Sequence, residues 1–195
     1  MDIYIFGLGA IGSNLLLQLI KKYQDFQFHG IDFDSVEDRN MNTQAYFLNH
    51  INMPKAQALI PIIGTKIRKF KYRPITKMIT DIESIKDVVK DSEGNKYVII
   101  DCFDNMKSRM LFNSFRGNIL HVGFSPQYAA EVIWHEEYSS PNDLPAGEGD
   151  ICVMAEAVPF INFVVSLAAF AVSDYIDNNI KTSYIVTNKH KIISL

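Results

Sequence analysis

Apolar residues fall along this chain in two rhythms. Apolar-rich runs at 3–6 (IYIF), 26–31 (FQFHGI), 97–100 (YVII) and 119–122 (ILHV) read as buried strands. Between them, apolar positions at helical spacing predict helices over 13–23, 54–65, 82–89 and 106–116. Strand and helix in alternation predict an α/β, Rossmann-like open sheet, mostly parallel, with helices on both faces. The segment 129–134 (AAEVIW) alternates apolar and polar, which predicts an antiparallel extension in the C-terminal half. Runs at 70–72 and 75–78 predict a strand interrupted by Pro74. Residues 91–95 (DSEGN) carry turn chemistry, and 139–150 (SSPNDLPAGEGD) is expected to be a long loop. That loop delivers the chain to Cys152 and an apolar helix over 158–172. Residues 183–186 and 192–193, around Asn188-Lys189-His190, predict a C-terminal ribbon within 183–195.

Length and composition narrow the class. A chain of 195 residues is expected to form one domain, 1–195, with a substantial core. Net charge is −3, and the densest basic stretch, 66–71 (KIRKFK), is short enough to be a solvated face, so no nucleic-acid partner is expected. Two cysteines, Cys102 and Cys152, with no CxxC pair argue for a reducing compartment and against structural zinc. The five histidines are scattered. The apolar stretch 151–172 reaches membrane-spanning length, but Glu156, Pro159 and Asn162 interrupt it, so a core or interface helix is expected rather than a membrane anchor. The first strand is read from Ile3, so no signal peptide is expected, and the expected location is the cytoplasm.

The first strand runs into Gly7-Leu8-Gly9-Ala10-Ile11-Gly12, a GxGxxG turn that opens a helix. Gly7 suits a tight turn, Gly9 offers a backbone without a side chain to an approaching phosphate, and Gly12 lets the helix pack closely. The helix N-terminus adds N–H groups and the positive end of a dipole. Asp32 follows the second strand about 20 residues on, where a carboxylate accepts from ribose hydroxyls. Residues 33–44 (FDSVEDRNMNTQ) are too polar for an ordinary strand and are expected to cap the next segment and line a cleft. Lys55, in the first turn of a helix, gains nothing from the dipole there. It points at a bound polyphosphate or is a common exposed lysine. After the strand at 97–100 comes Asp101-Cys102-Phe103-Asp104-Asn105, at the end of a sheet where ligands bind. Asp104 either holds Mg²⁺ on a nucleotide, or Asp101 and Asp104 merely cap the next helix.

Taken together, GLGAIGS, DFDSVEDRNMNTQ, PKA and DCFDN, in that order, resemble the ThiF/MoeB/HesA group, relatives of the ubiquitin-activating enzymes. The resemblance runs over about residues 3–124 and resumes at 152–177, where Cys152, Ala155 and Pro159 lead into the apolar helix. It implies a homodimeric or pseudodimeric adenylyltransferase that binds Mg·ATP and attaches AMP to the C-terminal carboxylate of a ubiquitin-like protein, a sulfur carrier or a peptide. It further implies that Gly7, Gly9, Ala10 and Gly12 bind the phosphates, with Asp32 on the ribose and Asp34 near the reacting centre. Asn40, Gln44 and Lys55 would lie against the nucleotide, and Asp104 would hold Mg²⁺.

Three departures are visible. Where the family carries arginine in N-x-x-R-Q, this chain reads Asn40-Met41-Asn42-Thr43-Gln44, leaving Arg39 as the candidate stand-in. Members often carry an N-terminal arm that gives an arginine to the partner subunit, and with the first strand starting at Ile3 no such arm is expected here; the paired zinc CxxC motifs of many relatives do not occur in this sequence. Cys152 is either the acceptor thiol of sulfur-transfer members or buried packing, while Cys102 reads as core. Two alternatives stand beside the adenylyltransferase. One is a catalytically weakened partner or scaffold subunit, suggested by Thr43. The other is an NAD-binding oxidoreductase, which the glycines and Asp32 alone would permit.

Overall fold

In the computed structural model, residues 1–89, 96–125, 128–138, 154–187 and 191–194 are described. β1 (Asp2–Phe6), α1 (Ala10–Lys22), β2 (Gln27–Ile31), α2 (Lys55–Lys66) and β3 (Lys71–Ile75) form the first half of the parallel unit. α3 (Ile82–Val89), β4 (Tyr97–Asp101), α4 (Met106–Met110) and β5 (Ile119–Phe124) form the second. β6 (Ala130–Trp134), α5 (Val158–Asn178), β7 (Tyr184–Val186) and β8 (Ile192–Ser194) follow. One sheet holds all eight strands in the order β3-β2-β1-β4-β5-β6-β7-β8. β1 to β5 pair in parallel, and β6, β7 and β8 add antiparallel.

Residues Ile3 to Phe6 of β1 are an unbroken apolar run because both faces of the strand are covered. Ile3 and Ile5 join Leu15, Leu16, Leu59, Ile63 and Val164 in the larger core. Tyr4 and Phe6 point the other way, into a smaller core with Ile85, Ile99, Phe112 and Ile119. A parallel strand buried on both faces loses the polar alternation of a half-exposed one. α5 packs against α1, β5 and β6. It is long and apolar enough to span a membrane by length and composition, yet its inward residues, Ile161, Val164, Val165, Ala168 and Val172, are buried in this protein's own core.

Several expectations need correction. Pro74 does not interrupt a strand; it lies inside β3, which is an edge of the sheet, where a missing N–H leaves no inter-strand bond unmade. The helix expected over 106–116 is only α4, followed by a 3-10 turn at Leu111–Ser114. α5 continues past 172 to Asn178 and stops at Asn179, whose φ of 58° is the left-handed conformation asparagine tolerates at a helix end. The C-terminal ribbon forms, but β7 also pairs with β6, so the ribbon extends the main sheet. The turn at 91–95, the loop 139–150, Cys152 and Asn188-Lys189-His190 lie outside the described residues.

Candidate functional site

The strand order reverses direction at β1: β2 and β3 lie to one side, β4 and β5 to the other. The crevice at the carboxyl ends of such strands is where open α/β sheets bind ligands. The glycine turn occupies it. Gly7 has a φ of 84°, and a Cβ there would sit 2.8 Å from the Cys102 carbonyl oxygen. The turn therefore presses directly on the connection from β4 to α4. A Cβ on Gly12 would fall 1.9 Å from the Gly7 carbonyl oxygen, so α1 seats on the turn only because Gly12 is bare. Gly9 differs: a Cβ built there meets no heavy atom within 4 Å. It is the N-cap of α1, so no N-cap side chain bonds the N–H groups of the first turn.

Asp32 closes the turn on the β2 side. One carboxylate oxygen accepts from the Leu8 N–H at 2.7 Å and the other from the Asp34 N–H at 2.8 Å. Both oxygens thus already brace the backbone, a role the sequence did not reveal; each retains a lone pair for a ligand. Burial raises the Asp32 pKa above the ordinary carboxylate value, against the opposing pull of the Lys55 charge and the two N–H bonds. Lys55 is not an exposed lysine. It is 8% accessible, its amine lies 3.1 Å from Asp34 Oδ2, and its own N–H donates to the Asp34 carbonyl. Asp34 offsets the cation at the unfavourable helix end.

The polar stretch after Asp34 is stitched onto the glycine turn and α1. Ser13 Oγ donates to the Gly9 carbonyl and accepts from the Ala45 N–H. Asn14 Nδ2 donates to the Ala10 and Thr43 carbonyls, and Tyr46 OH donates to the Leu8 carbonyl. Asn40 is buried, and its Oδ1 accepts from the Glu37 N–H at 2.8 Å, holding its own 3-10 turn. Among the described residues, Gln44 Oε1 is buried without a hydrogen-bond partner. Thr43, at the position of the expected arginine, is buried. Arg39 is exposed and its Nε donates to the Glu37 carboxylate.

On the β4 side, Asp101 and Asp104 part company. Asp101 is fully buried, with Oδ1 accepting from the Phe103 N–H and Oδ2 lying 2.8 Å from His121 Nδ1. Asp104 is exposed. The capping alternative is corrected for both: the N-cap of α4 is Asn105, whose side chain accepts from the Ser108 N–H at 2.9 Å. Among the described residues no three His, Cys, Asp or Glu side chains cluster as a metal site. A magnesium ion on a polyphosphate does not need such a cage, since it takes one or two carboxylates with phosphate oxygens and water. The Cys102 thiol is pushed above its ordinary pKa by burial and then by Asp101, which is the chemistry of packing rather than of a nucleophile.

Sequence reasoning missed Arg109, His121 and Glu131. Arg109 is a buried guanidinium bonded to Phe103 O, Val122 O and Glu131. No spacing rule joins these residues; only the tertiary packing of α4, β5 and β6 does. The whole arrangement brings a bare backbone turn, a helix N-terminus, one buried lysine and flanking carboxylates to the same crevice. That chemistry suits an anionic ligand carrying hydroxyl groups.

Residues 1–122 match a sequence model of the ThiF family. Solved structures share the fold over the whole chain. Selenomethionine-labelled PaaA aligns at 16% identity with a TM-score of 0.73, and Escherichia coli MccB with ATP at 14% and 0.73. The microcin C7 biosynthetic enzyme MccB in complex with N-formylated MccA aligns at 15% and 0.74. All of this chain is covered in each, but only 63%, 62% and 64% of theirs. No protein of curated function matches the sequence.

Proposed function

The chain belongs to the ThiF family, and from that premise we propose that it is an ATP-dependent adenylyltransferase. Its substrate would be the C-terminal carboxylate of a peptide, a ubiquitin-like protein or a sulfur carrier, activated as an acyl-adenylate. The observation that carries this reading is the open space over Gly9 at the N-terminus of α1, in a turn braced by the same Asp32 that holds Asp34, the partner of the Lys55 amine. A phosphate chain can approach the backbone there without displacing protein atoms. The unpartnered Gln44 Oε1, a buried acceptor, is a second group in want of a donor, such as a ligand hydroxyl or amine.

The chemistry follows from charge. One carboxylate oxygen of the acceptor forms a bond to the α-phosphorus as the bond from that phosphorus to the bridging oxygen of pyrophosphate breaks. No proton has to move, so no general base is required. What the step requires is neutralisation of the incoming carboxylate and the departing pyrophosphate. Lys55 and the first-turn N–H groups of α1 would supply positive potential, Asp32 would orient the ribose, and Asp34 would hold Lys55 near the reacting phosphate. Asn40 keeps the 37–40 turn in place beneath Gln44. Asp104 would hold Mg²⁺, which adds charge neutralisation when it arrives with the nucleotide. Recognition of a peptide is in keeping with the microcin enzyme crystallised with MccA, and assembly as a homodimer belongs to the same reading.

Calorimetric titration with ATP, with and without Mg²⁺, tests it, with NAD as control. ATP is expected to bind in a Mg²⁺-dependent way that Asp104→Ala weakens about tenfold, roughly 1.4 kcal/mol. Pyrophosphate exchange into ATP, stimulated by a peptide with a free C-terminus, should accompany it. Absence of ATP binding at millimolar concentration overturns the enzyme reading. The second reading, a weakened partner subunit, is favoured by one observation: the residue at the arginine position, Thr43, is buried and neutral, while Arg39 is turned to Glu37. ATP binding without exchange for any acceptor would select it.

A further inference from the structure

We propose that Arg109 is the positioning residue for Asp104, an inference that rests on the reading of Asp104 as the Mg²⁺ carboxylate. Asp104 is exposed and lies in a short connection between β4 and α4. α4 is five residues long, too short to hold itself as an isolated helix. Something else fixes the connection, and the contacts identify it. The Phe103 peptide, immediately before Asp104, is gripped at both ends. Its N–H donates to Asp101 Oδ1 at 3.0 Å, and its carbonyl accepts from Arg109 Nε at 2.8 Å. Its ring packs edge-on to Phe6 in β1 and lies tilted against Phe112.

Arg109 is anchored in turn to the sheet. Nη2 donates to the Val122 carbonyl of β5 at 2.6 Å, and Nη1 donates to Glu131 Oε1 of β6 at 3.1 Å. A planar fork with donors pointing three ways is what a lysine cannot imitate. The seat for this fork is built into the backbone: a Cβ on Gly123 would lie 2.4 Å from Arg109 Nη2 and 2.9 Å from its Cζ. One side chain therefore links the loop that bears Asp104, the helix after it and two strands. The carboxylate is held at a set place at the sheet end before any ligand arrives, so metal binding does not have to order the loop.

Two variants disturb this link without touching Asp104. Gly123→Ala keeps the arginine but pushes the guanidinium off its seat, and Arg109→Lys keeps the charge but loses the fork. Hydrogen exchange on the ligand-free protein should show the amides of residues 103–108 exchanging about tenfold faster in both, while the β1 and β2 amides are unchanged. The Mg²⁺ concentration at half-maximal ATP binding should rise about tenfold, with metal-free ATP affinity changed by less than about twofold. A merely structural role would weaken ATP binding equally with and without Mg²⁺. Equal weakening, or an unmoved Mg²⁺ midpoint in either folded variant while Asp104→Asn shifts it, overturns the positioning role alone. An unmoved midpoint in Asp104→Asn overturns the Mg²⁺ reading itself, and this inference with it.

Discussion

Gly12→Ala is expected to undo the fold around the site, while Gly9→Ala, three residues earlier, leaves the fold intact and weakens nucleotide binding. The two glycines belong to one motif but answer to different physics. At Gly12 the new methyl carbon would lie 1.9 Å from a backbone oxygen of Gly7, a clash no side-chain rotation relieves. Either the turn opens or α1 lifts off, and α1 carries Ile11, Leu15, Leu16, Leu19 and Ile20 into the core. Overpacking ordinarily costs about 1–3 kcal/mol, and a backbone clash under the central strand belongs at or above the upper end. Denaturant unfolding reads it as a large fall in midpoint. At Gly9 the methyl meets nothing within 4 Å, and φ is −76°, so no left-handed strain arises. Alanine is a poorer N-cap than glycine, so a loss of up to about 1 kcal/mol is expected. The space it fills is the space proposed for phosphate, and ATP affinity should drop about tenfold or more. Wild-type affinity in a folded Gly9→Ala protein would place the phosphate somewhere else.

That contrast also shows how far the chain declares itself. The unit from β1 through Asp32 was legible because it is local: a run buried on both faces, a turn that only glycines can make, and a carboxylate at the right distance. Its second duty was not legible. Asp32 braces Leu8 and Asp34 through N–H groups that leave no trace in residue type. β3 was blurred because an edge strand is partly exposed and tolerates Pro74, which sequence rules treat as a break. Lys55 and Asp34 are 21 residues apart, joined by a loop that returns on itself where Ser35 bridges Pro54. The buried group of Asp101, Arg109, His121 and Glu131 comes from β4, α4, β5 and β6, and only their tertiary packing brings it together. Thr43 was visible as a departure, but its burial, with its carbonyl tied to Asn14, was not.

Lys55→Met is expected to lower pyrophosphate exchange by about 10²–10³-fold, the scale seen when one preorganised donor to transition-state charge is removed. Methionine keeps the unbranched apolar stem in its buried channel, so packing changes little. Asp34 is left without its partner, but its side chain is 48% exposed and water takes over, so the lost ion pair itself matters little to stability. Asp32 is a different matter. Burial raises its pKa above 3.8, and the Lys55 charge is the largest influence opposing that rise. Without the lysine the folded-state pKa moves further up, and holding Asp32 ionised in the native protein becomes harder. The sign follows from linkage: a carboxylate whose pKa is raised on folding disfavours the native state above that raised pKa. The penalty fades as pH falls through it and is gone below the unfolded value. Lys55→Met should therefore be less stable than the wild type at neutral pH, with the difference shrinking toward about pH 4. Denaturant unfolding at both pH values measures it, and exchange assays on the same samples separate the two roles. A variant that keeps full exchange while showing the pH-dependent loss would leave Lys55 as a support for Asp32 and remove it from the chemistry.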